Sequence, residues 1–159
     1  MIEILRHHLE EQQWQVKPHH ILREPDMEID IYSFRSDTER IILQLKSLVR
    51  PMTPREVRRR NEDIICGINH TAAVVSRLPG AVGFVITNGY RGDYATWKVA
   101  LRHNVTIGTV EDIREVTTDP IRAIDALKAR VGFKQTSNPT PTNRPARFRL
   151  ARWNIELTT

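Results

Sequence analysis

The chain has 159 residues, 40% of them hydrophobic and 27% charged, which suits one globular domain with a modest core. No apolar run approaches the ~20 residues of a membrane span, and the opening MIEILRHHLEEQQ lacks the apolar stretch and cleavage site of a secretory leader. A single cysteine, Cys66, excludes an intramolecular disulfide and fits a reducing cytoplasm; 24 Lys+Arg against 19 Asp+Glu leave +5, compatible with a polyanionic partner.

Ile2, Leu5 and Leu9 fall at helical spacing and predict an amphipathic helix over residues 2–13. Trp14 and Val16 lead into a short extended piece that ends near Pro18. MEIDIYSF (27–34) alternates apolar and polar residues and predicts a strand. RSDTE (35–39) carries turn chemistry, and RIILQLKSLVR (40–50) predicts the next strand, so the two form an antiparallel hairpin. Thr53 caps and Pro54 opens a long helix, whose stripe of Val57, Ile64, Ile68, Ala72, Val75 and Leu78 runs to Pro79-Gly80. AVGFVIT (81–87) predicts a strand inside the sheet. NGYRGD (88–93) is a loop, and Asp93 caps the helix YATWKVALRH (94–103). VTIGT (105–109) predicts a further strand, and Asp119-Pro120 begins a last helix that Gly132 closes. After Phe133 come a polar, proline-bearing linker and the basic ARFRLARWNIEL. The expectation is one α/β domain over residues 1–133 with a tail over 134–159.

The hairpin holds the residues that invite chemistry. A turn centred on Asp37 pairs Ile31 with Leu43 and Ile29 with Leu45, so that the apolar faces coincide. The same register sets Asp30 opposite Gln44 and Glu28 opposite Lys46. An amide and an ammonium in so apolar a strand need partners, because a buried lysine is costly alone. A carboxylate oxygen, an amide oxygen and the Leu45 carbonyl are hard ligands suited to Mg²⁺ or Mn²⁺. An ammonium beside them stabilises charge that develops on a phosphate. A Glu28–Lys46 ion pair on a solvated face explains the same residues without any chemistry.

With PDMEIDIYSF followed by RIILQLKS, the hairpin resembles the core of the PD-(D/E)xK nuclease superfamily. The likeness is to the branch with glutamine in the second acidic position, which includes Mrr-type restriction endonucleases and the nuclease domains of type I restriction motor subunits. It spans about residues 2–113, in the order αβββαβ. The resemblance implies a restriction-endonuclease-like fold, with a mixed central sheet flanked by helices. It further implies a Mg²⁺- or Mn²⁺-dependent endonuclease that hydrolyses DNA phosphodiesters, in defence against foreign DNA or in DNA processing. On that resemblance Asp30 is the metal-binding aspartate, Gln44 the second-position ligand with the Leu45 carbonyl beside it, and Lys46 the catalytic lysine. Family members often add a glutamate from the first helix, and Glu3 is its best-placed match, with Glu10 and Glu11 poorer. Asp26, in the literal Pro25-Asp26, lies at the strand start, whereas Asp30 lies mid-strand between Ile29 and Ile31. The alternative is a catalytically inactive domain of the same fold that binds DNA or assembles with proteins, Gln44 marking a decayed metal site.

Arg55, Arg58, Arg59 and Arg60, at the start of the long helix, read as a phosphate-contacting patch or as a solvated helix face. Arg91 and Lys98 extend that patch. Cys66 and His70 stand at i, i+4 but lack further partners for zinc. In the tail, Arg144, Arg147, Arg149 and Arg152 with Phe148 and Trp153 suit nucleic acid, or an added strand. DNA is the expected partner and no membrane contact is expected; a homodimer or a larger assembly stays open.

Overall fold

Leu5 and Leu9 sit four residues apart on a helix, and burying them fixes α1 (Ile2–Glu11) on the protein. A computed structural model describes residues 2–23, 26–48 and 53–132, with side chains described for 2–19, 29–48 and 53–132. The predicted tail therefore lies outside the described residues, as do the side chains of Asp26 and Glu28. Three strands follow α1: β1 (Gln15–Arg23), β2 (Asp26–Phe34) and β3 (Arg40–Lys46). Pro18 does not end β1, which the sequence made to stop there. The strand lies at the edge of the sheet, where a proline with no N–H costs no ladder bond on its open side.

Helix α2 (Pro54–Val75) begins where the sequence places it. Thr53 forms a capping box, its hydroxyl accepting from Glu56 N at 3.2 Å while its own N–H donates to the Glu56 carboxylate at 2.9 Å. Then come β4 (Ala81–Thr87), α3 (Tyr94–Arg102) and β5 (Val105–Thr109). A 3₁₀ turn (Val110–Asp112), α4 (Ile113–Thr118) and α5 (Pro120–Arg130) close the described chain. Asp93 and Asp119 cap α3 and α5, accepting from Thr96 N at 2.8 Å and Arg122 N at 3.1 Å.

The five strands run in the order β1-β2-β3-β4-β5. The β1–β2 and β2–β3 pairs are antiparallel and the β3–β4 and β4–β5 pairs parallel, so the sheet is mixed and the protein is α/β. Helices cover both faces. On one, α2 lies so close that a Cβ on Gly83 of β4 would stand 2.5 Å from Thr71 Cγ2 and 2.9 Å from Val75 Cγ2. α3 packs beside α2 and against β5, while α5, joined by α4 and α1, packs on the far face. β3 and β4, in the middle, carry Ile41, Ile42, Leu43, Phe84, Val85 and Ile86, all essentially inaccessible. Among the described residues no helix is long and apolar enough to cross a membrane.

Candidate active site

The hairpin register agrees with the sequence as far as the hydrophobic alternation is unbroken: Phe34↔Arg40 through Ile31↔Leu43. Beyond that pair the ladder stops. The expected Ile29–Leu45 pair is absent, and Ile29 is buried instead in a cluster with Ile42 and Val74. The other side of β2 is disturbed at the same level. β1 pairs with β2 up to Pro18↔Ile31 and again from His20↔Ile29, and His19, opposite Asp30, leaves the ladder with φ 48°. A non-glycine residue in the left-handed region costs roughly 1–3 kcal/mol and persists only where its surroundings enforce it. Asp30 therefore sits at a break that runs across β1, β2 and β3.

At that break the Asp30 side chain takes over a backbone role. Its Oδ2 accepts the N–H of Leu45 at 2.7 Å, where a strand carbonyl would otherwise have accepted, and Gln44 Nε2 donates to the same oxygen. Both donors converge on Oδ2, and Oδ1 receives no hydrogen bond among the described residues. Lys46, two residues beyond Gln44 in β3, projects from the same sheet face and is half-buried. Its Cε lies over Gly67 of α2. These residues occupy the carboxyl end of β3, beside that of the parallel β4, where open α/β sheets most often bind ligands.

The chain matches no protein-family model and no curated protein.

The other residues singled out from the sequence are placed as follows. Glu3 is on α1, its side chain 83% exposed with its carboxylate 3.8 Å from Arg6, and α1 packs on the face opposite α2. Arg55, Arg58 and Arg59 are exposed on the first turns of α2, with Arg58 bonded to Glu62 at 3.0 Å. Lys98 lies 4.9 Å from the ring centre of Tyr94. Arg91 is bonded within the protein. Its guanidinium is held by the buried Asp112 carboxylate at 2.9 and 3.0 Å, and Arg130 meets the same carboxylate at 2.6 Å. That network ties the β4–α3 loop to α5. Among the described residues no three His, Cys, Asp or Glu side chains gather as a metal cluster.

A polar network beside the site escaped the sequence reading. Asn61 of α2 donates to Asp93 Oδ2 at 2.7 Å and accepts from the Tyr90 hydroxyl at 2.9 Å. Thr87, the register partner of Lys46, donates to the Tyr90 carbonyl at 2.7 Å, and Tyr90 N donates to Leu48 O at 3.3 Å. Burial pushes the Tyr90 phenol above its ordinary value, and the nearby Asp93 charge adds to the shift. The hydroxyl stays protonated at neutral pH and keeps its bond to Asn61. Together these contacts join the β4–α3 loop to α2 and to Leu48, just past the carboxyl end of β3. Only the Asp93 cap was visible in the sequence; Asn61 and Tyr90 lie 29 positions apart.

Proposed function

We propose that the protein is a metal-dependent nuclease of restriction-endonuclease-like fold that hydrolyses DNA phosphodiesters. The observation that carries the reading is the Asp30 carboxylate turned onto Gln44 and Leu45 at the point where the β2–β3 ladder ends. The donor set fits a divalent cation. Oδ1 of Asp30 has no hydrogen bond among the described residues, the Leu45 carbonyl follows Gln44 in β3, and all three groups offer hard oxygen. An amide meets a carboxylate through its NH₂ and a cation through its oxygen, and half a turn of the Gln44 amide exchanges the two.

Asp30 would hold Mg²⁺ or Mn²⁺, with Gln44 and the Leu45 carbonyl completing the protein's share of the ligands. When bound, the cation supplies Lewis acidity to a phosphate oxygen and a lowered pKa to water. Lys46 provides a fixed positive charge where negative charge builds on the scissile phosphate, and it orients the attacking water. The half-buried position of the lysine raises the value of that charge, because less water screens it. Arg55, Arg58 and Arg59 contact the phosphate backbone beside the site. Defence against foreign DNA or DNA processing is the context this reading suggests.

A second reading draws on the same contact. With Oδ2 already satisfied by two N–H donors, Asp30 and Gln44 form a closed pair that carries a single negative charge. The domain then binds DNA or assembles with protein without cutting. Incubation of the full chain with supercoiled plasmid and with single-stranded DNA, in Mg²⁺ and in EDTA, separates the two. The nuclease reading expects nicking or linearisation in Mg²⁺ alone. DNA retained at low salt and released at high salt, with no cleavage under either condition, favours the second.

A further inference from the structure

We propose that Gly67 is a positioning residue for Lys46: by lacking a side chain it leaves the slot between α2 and β4 in which the lysine stem lies. A Cβ built on Gly67 would stand 3.1 Å from Lys46 Cε and 3.4 and 3.5 Å from the γ-methyls of Val85. Val85 is the register partner of Gln44, whereas Lys46 itself is paired with Thr87. The far end of the lysine and the Val85 side chain thus both border the space above Gly67.

Nothing in the helix itself asks for glycine at this position. Gly67 lies in the interior of α2, and its φ is not in the left-handed region that only glycine enters freely. Alanine would favour the helix there. The reason must lie in what approaches it. α2 cannot retreat, because Ile64 and Ile68 on either side are fully buried and the next turn presses Thr71 and Val75 onto Gly83. Val85 is locked in the core. Of the groups around the slot, the end of the Lys46 side chain is the one that yields easily. A methyl group at position 67 would thus be absorbed by moving the lysine and little else.

The packing relation stands on geometry alone; its catalytic consequence rests on the nuclease reading. Two measurements test it. In the wild-type chain, nuclear Overhauser contacts are expected between the Gly67 α-protons and the Lys46 ε-methylene. In Gly67→Ala, the thermal midpoint is expected unchanged or raised, the Lys46 ε-methylene resonance displaced, and Mg²⁺-dependent cleavage reduced about tenfold or more. Absence of the wild-type contact overturns the proposal, and it decides the matter even if the variant fails to fold. So does a variant that cleaves as fast as the wild type, whether or not the resonance moves. If the wild type cleaves no DNA, the nuclease reading falls and the contact and resonance alone decide the packing claim.

Discussion

Asp30→Asn is expected to fold as the wild type does and to lose Mg²⁺-dependent DNA cleavage by roughly two to three orders of magnitude. Asparagine keeps an oxygen where Asp30 Oδ2 now accepts the Leu45 N–H at 2.7 Å, so the broken end of the β2–β3 ladder stays closed. What it removes is the negative charge, the strongest attraction this donor set offers a divalent cation. A neutral amide facing the Gln44 amide leaves no anionic ligand among the groups assigned to the metal. The check is the initial rate of plasmid nicking at saturating Mg²⁺, together with circular dichroism and a urea midpoint for the fold. Cleavage within about threefold of the wild type would move the metal site elsewhere in the protein.

The largest effect on stability is expected at Asp112. Its side chain is 3% exposed and meets Arg91 at 2.9 Å and Arg130 at 2.6 Å, while its Oδ2 also accepts the Thr109 N–H at 2.7 Å. Asp112→Ala takes the carboxylate from Arg91, leaves Arg130 only its 2.8 Å bond to Glu115, and leaves a buried N–H without its acceptor. Removing one partner of a buried charge cluster costs about 3–5 kcal/mol. Arg91 and Arg130 are 30% and 45% exposed and recover some hydration, which puts the expectation at the low end, about 3 kcal/mol. Urea unfolding measures this directly. A loss below about 1 kcal/mol would mean that the network is screened as a surface pair is. The same geometry predicts that Arg91→Ala also lowers the urea midpoint, whereas Arg55→Ala and Arg59→Ala, at exposed positions, leave it unchanged.

The parts of the fold legible in the sequence are those written in local chemistry. Thr53-Pro54 opens α2, Asp93 caps α3, and the alternation of MEIDIYSF against RIILQLK gives the register Ile31↔Leu43. The alternation misleads at Ile29 because it continues in the letters while the β2–β3 pairing ends at Ile31↔Leu43. That break needs His19 in the left-handed region on the neighbouring strand, and no residue of β2 announces it. α4 went unread because six residues, Ile113–Thr118, are too few to show a helical period. Candidate site residues in one hairpin could be read together, since Asp30, Gln44 and Lys46 are joined by a short turn. The Asp112 and Asn61 networks could not. Each brings together side chains from different elements, across 18 positions or more, and only packing sets those distances.

Titration of the ¹⁵N-labelled protein with Mn²⁺ tests whether Asp30 and Gln44 hold a metal, because a bound paramagnetic ion broadens the resonances nearest to it. The Gln44 side-chain amide and the Leu45 backbone amide are expected to broaden first, excess Mg²⁺ to reverse the effect, and Asp30→Asn to abolish it. Broadening that spares both amides, or that persists in Asp30→Asn, would contradict a metal held between Asp30 and Gln44.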